Sequence, residues 1–101
     1  SKVVPLVKFL VKRGLKVRLF DPYFTKREIR DAVKVGTFKF PNELKKFDCL
    51  IVSVDHKQFK IPKKALKKYV KKCKLIIDHD GAWKNYDLDG NYHLSGDTGW
   101  I

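Results

Sequence analysis

The sequence predicts an α/β fold of three layers, α/β/α, with helices on both faces of an open, mostly parallel sheet of about four to five strands. Three observations carry this. Apolar residues at helical spacing alternate along the chain with short apolar runs. Two of those runs, Cys49 to Val54 and Leu75 to Ile77, are nearly all apolar, as strands covered on both faces are. The 101 residues, 44% hydrophobic and 13% aromatic, hold enough apolar mass for one core but hardly for two. The chain therefore reads as a single domain over residues 1–101, with no internal repeat and no low-complexity linker.

The elements follow in order. Val3, Val4, Val7, Leu10 and Val11 recur with helical period; Pro5 is tolerated in the first turn, and Gly14 stops the helix at a C′ position. Lys16 to Phe20 alternates and predicts a strand, ended by Asp21-Pro22. Residues 25–34 predict a short, weakly amphipathic helix, and Val35 to Phe40 a short strand. Pro41 to Lys46 suits a helical turn with Asn42 near its start. After the strand from Cys49, Ile61-Pro62 leads into a helix whose inner stripe is Ala65, Leu66, Tyr69 and Val70. Leu75 to Ile77 is the next buried strand. From Asp78 onward Gly, Asn and Asp predominate, so loops are expected, with one edge strand at Tyr92-His93-Leu94. Arranged this way, the elements describe a Rossmann-like sheet.

Charge is unevenly distributed. Lys and Arg number 23 against 11 acidic residues, a formal net charge of +12. Residues 1–74 carry 22 basic and 6 acidic side chains, whereas residues 75–101 carry Lys84 alone against five aspartates. The steepest stretch, Lys57 to Lys74, has nine lysines and no acid. Nucleic-acid modules use Arg for base edges and aromatics for stacking. Here Lys outnumbers Arg by 19 to 4, and the steep stretch contains only Phe59 and Tyr69 as aromatics. The apolar residues among these lysines have a helical period, so the lysines read as a solvated helix face. A basic module that binds nucleic acid or another polyanion is the alternative reading. No apolar run approaches the roughly 20 residues of a membrane span, and no signal-peptide pattern opens the chain, so a soluble, cytoplasmic protein with no membrane partner is expected. Cys49 and Cys73 suit neither a disulfide framework nor a zinc site.

In open parallel sheets, ligands sit outside the carboxyl ends of the strands. Three predicted strands end in polar clusters: Asp21, then Ser53-Val54-Asp55-His56, then Asp78-His79-Asp80. Aspartates there also cap the helices that follow. Asp21, Asp55, Asp78 and Asp80 offer oxygen ligands of the type Mg²⁺ takes, but no spacing forces them together, and no metal is expected. Cys49 lies inside an apolar strand, and Cys73 has lysine neighbours but no histidine near it in sequence, so no catalytic residue is assigned. Neither standard Gly-rich phosphate loop occurs. The residues alone point to a ligand-binding α/β module without its own catalytic machinery.

The pattern also resembles a known family. Ser1, Gly14 and Lys16-Val17-Arg18-Leu19-Phe20-Asp21-Pro22-Tyr23 resemble the "S-P…L…L…G-x-x-V-x-x-Y-D-P-Y" segment of the UDP-glucose/GDP-mannose dehydrogenase family. Phe47-Asp48-Cys49-Leu50-Ile51-Val52-Ser53-Val54-Asp55-His56-Lys57-Gln58-Phe59 is similar to its "A-D-a-v-v-i-x-T-x-H-x-x-F", and Leu75-Ile76-Ile77-Asp78 to its "v-i-i-D-x-R" strand. Order and spacing match over about the first 80 residues.

The resemblance implies the C-terminal, UDP-binding domain of an NAD-dependent UDP-sugar 6-dehydrogenase. Such an oxidoreductase takes the C6 alcohol of a nucleotide sugar to a carboxylate in two hydride transfers. In the family an N-terminal Rossmann domain holds NAD and a central helical region holds the catalytic cysteine. The chain has neither the G-x-G-x-x-G fingerprint nor a G-x-C context. NAD is thus implied as a cofactor bound outside these residues, and the chain is not expected to run the oxidation by itself. The implied substrate-binding residues are Asp21 and Tyr23, His56 and Phe59, and Asp78 with His79. Tyr23 and Phe59 either pack against a uracil ring or belong to the core; His56 either hydrogen-bonds the nucleotide or caps its helix; Asp78 orders its loop. The implied partners are a UDP-sugar and the remainder of a dehydrogenase chain or a second copy in a homo-oligomer. Three departures stand out. Lys2 replaces the family's proline. The strand carrying the "F-K" and "D-D-x-R" motifs, which precedes the serine in the family, is not among residues 1–101. Asp80 stands at the arginine of "D-x-R", which sets an anion where a diphosphate would meet a cation. The segment from Leu94 to Ile101 is only loosely similar to the family's closing "Y-x-G-I-G" strand.

Overall fold

The computed structural model describes residues 3–88 and 90–95, so Ser1, Lys2 and the closing segment 96–101 lie outside the described residues. The chain forms two compact units, Ser1–Phe40 and Pro41–Ile101.

The first unit is built on two helices. Helix α1, Val3–Lys12, ends in a Schellman arrangement: the Gly14 N–H donates to the Val11 carbonyl at 2.9 Å and the Leu15 N–H to the Leu10 carbonyl at 3.2 Å. Gly14 takes the required left-handed backbone, φ +87°, as its position after the apolar stripe predicts. Helix α2, Lys26–Val33, starts in a reciprocal capping box. Thr25 Oγ1 accepts from the Glu28 N–H at 3.1 Å, and Glu28 Oε1 accepts from the Thr25 N–H at 2.8 Å. Ile29 and Val33, one turn apart, join Val7 and Val35 in a buried cluster against which Val3, Val4, Val17 and Leu19 pack. Each fully buried aliphatic side chain of this kind contributes about 1.5–3 kcal/mol.

The strand expected at Lys16–Phe20 is reduced to one parallel bridge, Arg18 to Gly36, with the Leu19 N–H donating to the Gly36 carbonyl at 3.0 Å. Side chains carry the rest of the pairing. The Phe20 ring lies 5.7 Å from that of Phe38 and 5.4 Å from that of Phe40, centroid to centroid. The Arg18 side chain lies across Gly36, where an added Cβ would meet it at 3.3 Å. The strands expected at Lys16–Phe20 and Val35–Phe40 are thus one isolated bridge, because a ladder needs a run of aligned backbone groups that these segments do not supply.

The second unit holds the sheet. Strands β1, Cys49–Val52, β2, Leu75–Asp78, and β3, Tyr92–Leu94, run parallel in the order β1-β2-β3, with Leu50 opposite Ile76, Val52 opposite Asp78, and Ile76 opposite Tyr92. Helix α3, Lys63–Tyr69, lies between β1 and β2 in sequence, as a parallel crossover requires. Its Leu66 is fully buried. The turn expected at residues 41–46 is a 3₁₀ helix, Asn42–Lys46, that buries Leu44 and packs against α3. The fold is thus α/β with an open parallel sheet. Three strands are described, fewer than the four to five that the sequence predicts, because the first unit contributes a bridge rather than strands. The run from Cys49 leaves the ladder after Val52. Burial alternates along β1 and β2: Leu50, Val52, Ile76 and Asp78 are buried, while Cys49 and Leu75 (36%) are exposed. An all-apolar run carries no phase, so the reading of both faces as covered overstated the burial of this face. No described helix is long and apolar enough to cross a membrane.

The capping box makes a simple prediction. Thr25→Ala removes one half of it and is expected to lower the unfolding free energy by about 1 kcal/mol in chemical denaturation followed by circular dichroism. A loss below a few tenths of a kcal/mol would show that α2 is held by Ile29 and Val33 alone.

Candidate functional site

Parallel pairing brings the carboxyl ends of β1, β2 and β3 to one edge. Backbone bonds knit that edge together: the His79 N–H donates to the Val52 carbonyl at 2.8 Å and the Ser95 N–H to the Asp78 carbonyl at 3.0 Å. Ser95 is fully buried there.

Asp78, the last residue of β2, is completely buried. Its Oδ1 accepts from the Gly81 and Ala82 N–H groups, both at 3.0 Å. Its Oδ2 accepts from the Trp83 N–H at 2.8 Å and from the Tyr92 hydroxyl at 2.5 Å. Four donors on one buried carboxylate explain how the charge is tolerated without a cation. The expected role of Asp78, ordering its loop, is the one the geometry shows. Gly81 makes the tight return possible with φ +79°, and an added Cβ there would meet Lys84 Cδ at 3.2 Å and Leu94 Cδ1 at 3.3 Å. The buried Trp83 then donates from Nε1 to the Phe59 carbonyl at 2.9 Å, and the Tyr86 hydroxyl donates to the Ile61 carbonyl at 2.7 Å. The loop after β2 is thereby tied to the segment that precedes α3.

His56 opens the 3₁₀ turn Lys57–Phe59. Its carbonyl accepts from the Phe59 N–H at 3.0 Å, and its side chain makes no capping bond. The imidazole stands edge-on to the Phe59 ring, centroids 5.2 Å apart. Of the two expectations for Phe59, the structure places it in the core. His79 is half-buried, with Nε2 3.8 Å from Asp80 Oδ1 and a buried Nδ1 that has no hydrogen-bond partner among the described residues. Asp80, at the family's arginine position, is exposed.

Asp21 and Tyr23 belong to the first unit. An Asx turn joins them, Asp21 Oδ1 accepting from the Tyr23 N–H at 2.8 Å. The Tyr23 residue is 67% exposed, so it is not core. Asp21 borders a mostly apolar pocket of about 190 Å³ lined also by Val3, Leu19, Phe24, Glu28 and Ile29. Ligand pockets run to about 300–1,000 Å³, so this one is too small to enclose a nucleotide sugar.

Neither thiol is arranged for nucleophilic chemistry. Cys73 is buried and donates from Sγ to the Leu75 carbonyl at 3.2 Å and the Asp48 carbonyl at 3.3 Å. Burial pushes the Cys73 thiol up; Cys49, though exposed as a residue, has a partly desolvated thiol that this desolvation and the neighbouring Cys73 push up, which diminishes the thiolate at neutral pH. Among the described residues, no group of three His, Cys, Asp or Glu side chains is placed to hold a metal ion.

Sequence reasoning gave no role to Trp83 and Ser95, in the stretch expected to be loop, or to Tyr92, which it placed on the edge strand that the structure shows. A signal was present: two large aromatics in a Gly/Asn/Asp-rich segment require burial, and their polar atoms require partners. Tyr92 provides a direct check. Burial, then its bond to Asp78 and the charge of that carboxylate, raise the phenol well above its ordinary value near 10. The folded chain keeps this proton at pH values where the unfolded chain releases it. The contribution is fully present below about pH 10 and is lost as pH rises through the raised value. Ultraviolet titration is expected to show one late-ionising tyrosine, absent in Tyr92→Phe, and the alkaline loss of stability is expected to flatten in that variant. Simultaneous ionisation of all four tyrosines in the folded chain would contradict the Asp78–Tyr92 bond.

Residues 1–85 match the description UDP-glucose/GDP-mannose dehydrogenase family, UDP binding domain. No curated protein and no solved structure gives a significant match to the chain. With a parallel sheet whose strand ends carry the family-like residues, and a match over most of its length, the chain belongs to the UDP-glucose/GDP-mannose dehydrogenase family, in which it corresponds to the UDP binding domain.

Proposed function

We propose that residues 1–101 act as one nucleotide-sugar-binding domain of a cytoplasmic, NAD-dependent UDP-sugar 6-dehydrogenase, contributing substrate binding and no catalytic group. The observation that carries this reading is the match to the UDP binding domain over residues 1–85, together with the strand-end edge of the second unit, where ligands of parallel sheets sit. In this reading His56 and His79 are the hydrogen-bonding groups offered to the nucleotide. Phe59 backs the His56 ring from the core, and Asp78 is a positioning residue that fixes the loop beginning at His79. The site assignment rests on the second unit; Asp21 and Tyr23 enter it as reporters of whether the first unit takes part.

NAD does not fit the residues present. The turn after β1, Ser53 to His56, has no glycine and carries Asp55, and Gly81 packs against Lys84 and Leu94 of its own chain. Neither turn has the glycine spacing of a dinucleotide-binding fingerprint. Hydride acceptor and catalytic thiol are therefore assigned to the remainder of a dehydrogenase chain or to a partner. What this chain supplies is a rigid edge: Trp83 and Tyr86 hold the loop against the segment before α3, so the two histidines are presented from fixed backbone.

Titration with UDP, UDP-glucose and GDP followed by heteronuclear NMR tests the proposal. Saturable shifts are expected at residues 53–56 and 79–84 with the uridine ligands, weakened about tenfold by His56→Ala, equivalent to about 1.4 kcal/mol. No saturable shift with any of the three at millimolar concentration would overturn it.

A further inference from the structure

The lysines of Lys57 to Lys74 form a second functional surface that the nucleotide-sugar reading does not use. All nine are exposed, while Leu66, Val70 and Cys73 between them are buried, so the segment turns its apolar side inward and presents amines outward. Lys63/Lys67 and Lys64/Lys68 are one helical turn apart on α3, about 6 Å in rise, and Lys71 and Lys72 extend the array into the following turn. Of these nine lysines, Lys60, 3.3 Å from Asp55, and Lys63, bonded to Asp87, are ion-paired among the described residues. Lys64, Lys68, Lys71 and Lys72 have no ion-pair partner among the described residues.

We propose that this face binds the phosphate backbone of a double-stranded nucleic acid without reading its sequence. The chemistry of the face favours a duplex. Single-strand binders stack bases on exposed aromatics, but here Phe59 is buried and Tyr69 half-buried. Base-edge readers use arginine forks, and this stretch has no arginine. What remains is a row of compact, strongly hydrated point charges, suited to phosphates that the duplex holds at regular spacing on its outside. The acidic residues of the strand-end edge belong to other segments, and the array itself contains none.

The test is fluorescence anisotropy of the 101-residue chain with two labelled DNA duplexes of unrelated sequence. Both are expected to bind alike. If four lysines each neutralise one phosphate, the salt slope is about −3.6, and affinity falls roughly 100-fold between 50 and 200 mM salt. Combining Lys64→Gln, Lys68→Gln, Lys71→Gln and Lys72→Gln is expected to weaken binding by about 30-fold or more. Combining Lys8→Gln, Lys12→Gln, Lys16→Gln and Lys26→Gln removes the same charge from exposed sites of the first unit and is expected to cost less than about fivefold. Circular dichroism verifies that both variants fold. Equal losses in the two variants, a preference for one duplex sequence, or displacement by an equal charge of polyglutamate would each overturn the proposal.

Discussion

One buried carboxylate holds the second unit in its shape. Asp78 accepts four hydrogen bonds, three from successive backbone amides of the loop it precedes and one from Tyr92 on the neighbouring strand. Each hydrogen bond to a charged group contributes about 1.5–3 kcal/mol, and a buried charge stripped of its partners costs more than the bond it loses. These bonds force the chain to turn back at Gly81, which brings Trp83 and Tyr86 to the carbonyls of Phe59 and Ile61. Sheet order, loop path and the position of the segment before α3 thus follow from one side chain at the end of β2. Both carboxylate oxygens of Asp78 are engaged by these bonds.

How much of this was legible in the sequence depends on the kind of signal. Gly14 at the end of an apolar stripe announced a left-handed C′ residue, and a Schellman motif stands there. The helices at Val3 and Lys63 and the strands at Cys49, Leu75 and Tyr92 follow the apolar periodicity. Strand partners were not legible, because periodicity reports a face and says nothing of neighbours. Lys16 to Phe20 alternates as a strand does, yet only Arg18 bridges, and phenyl rings do the remaining pairing. Of the candidate site, the clustering of polar residues at strand ends was visible, as was the ordering role of Asp78. The partners that Asp78 would find were hidden, since Gly81, Ala82 and Trp83 bind it through backbone amides that carry no side-chain signature.

Charge takes on a different meaning once placed on the fold. The net charge of +12 combines a lysine array on one segment with acidic residues gathered where strands end. At the strand ends those acids are engaged: Asp78 by the loop, Asp55 by Lys60, and Asp80 near His79. His79 Nδ1 is buried there and lacks a hydrogen-bond partner among the described residues. The lysine array is the opposite case: only Lys60 and Lys63 of its nine lysines are ion-paired among the described residues. Two surfaces of different chemistry are thus set on the second unit, a polar edge at the strand ends and an exposed basic face along Lys57 to Lys74.

Amide hydrogen exchange by NMR, comparing the chain with its Asp78→Asn variant, tests the central claim that Asp78 organises this edge. The account predicts that the Gly81, Ala82 and Trp83 amides are protected in the parent chain and lose protection by at least about tenfold in the variant, equivalent to about 1.4 kcal/mol, while amides within α1 are unchanged. Unchanged protection of those three amides in Asp78→Asn would contradict it, and would place the order of the loop in Trp83 burial rather than in the carboxylate.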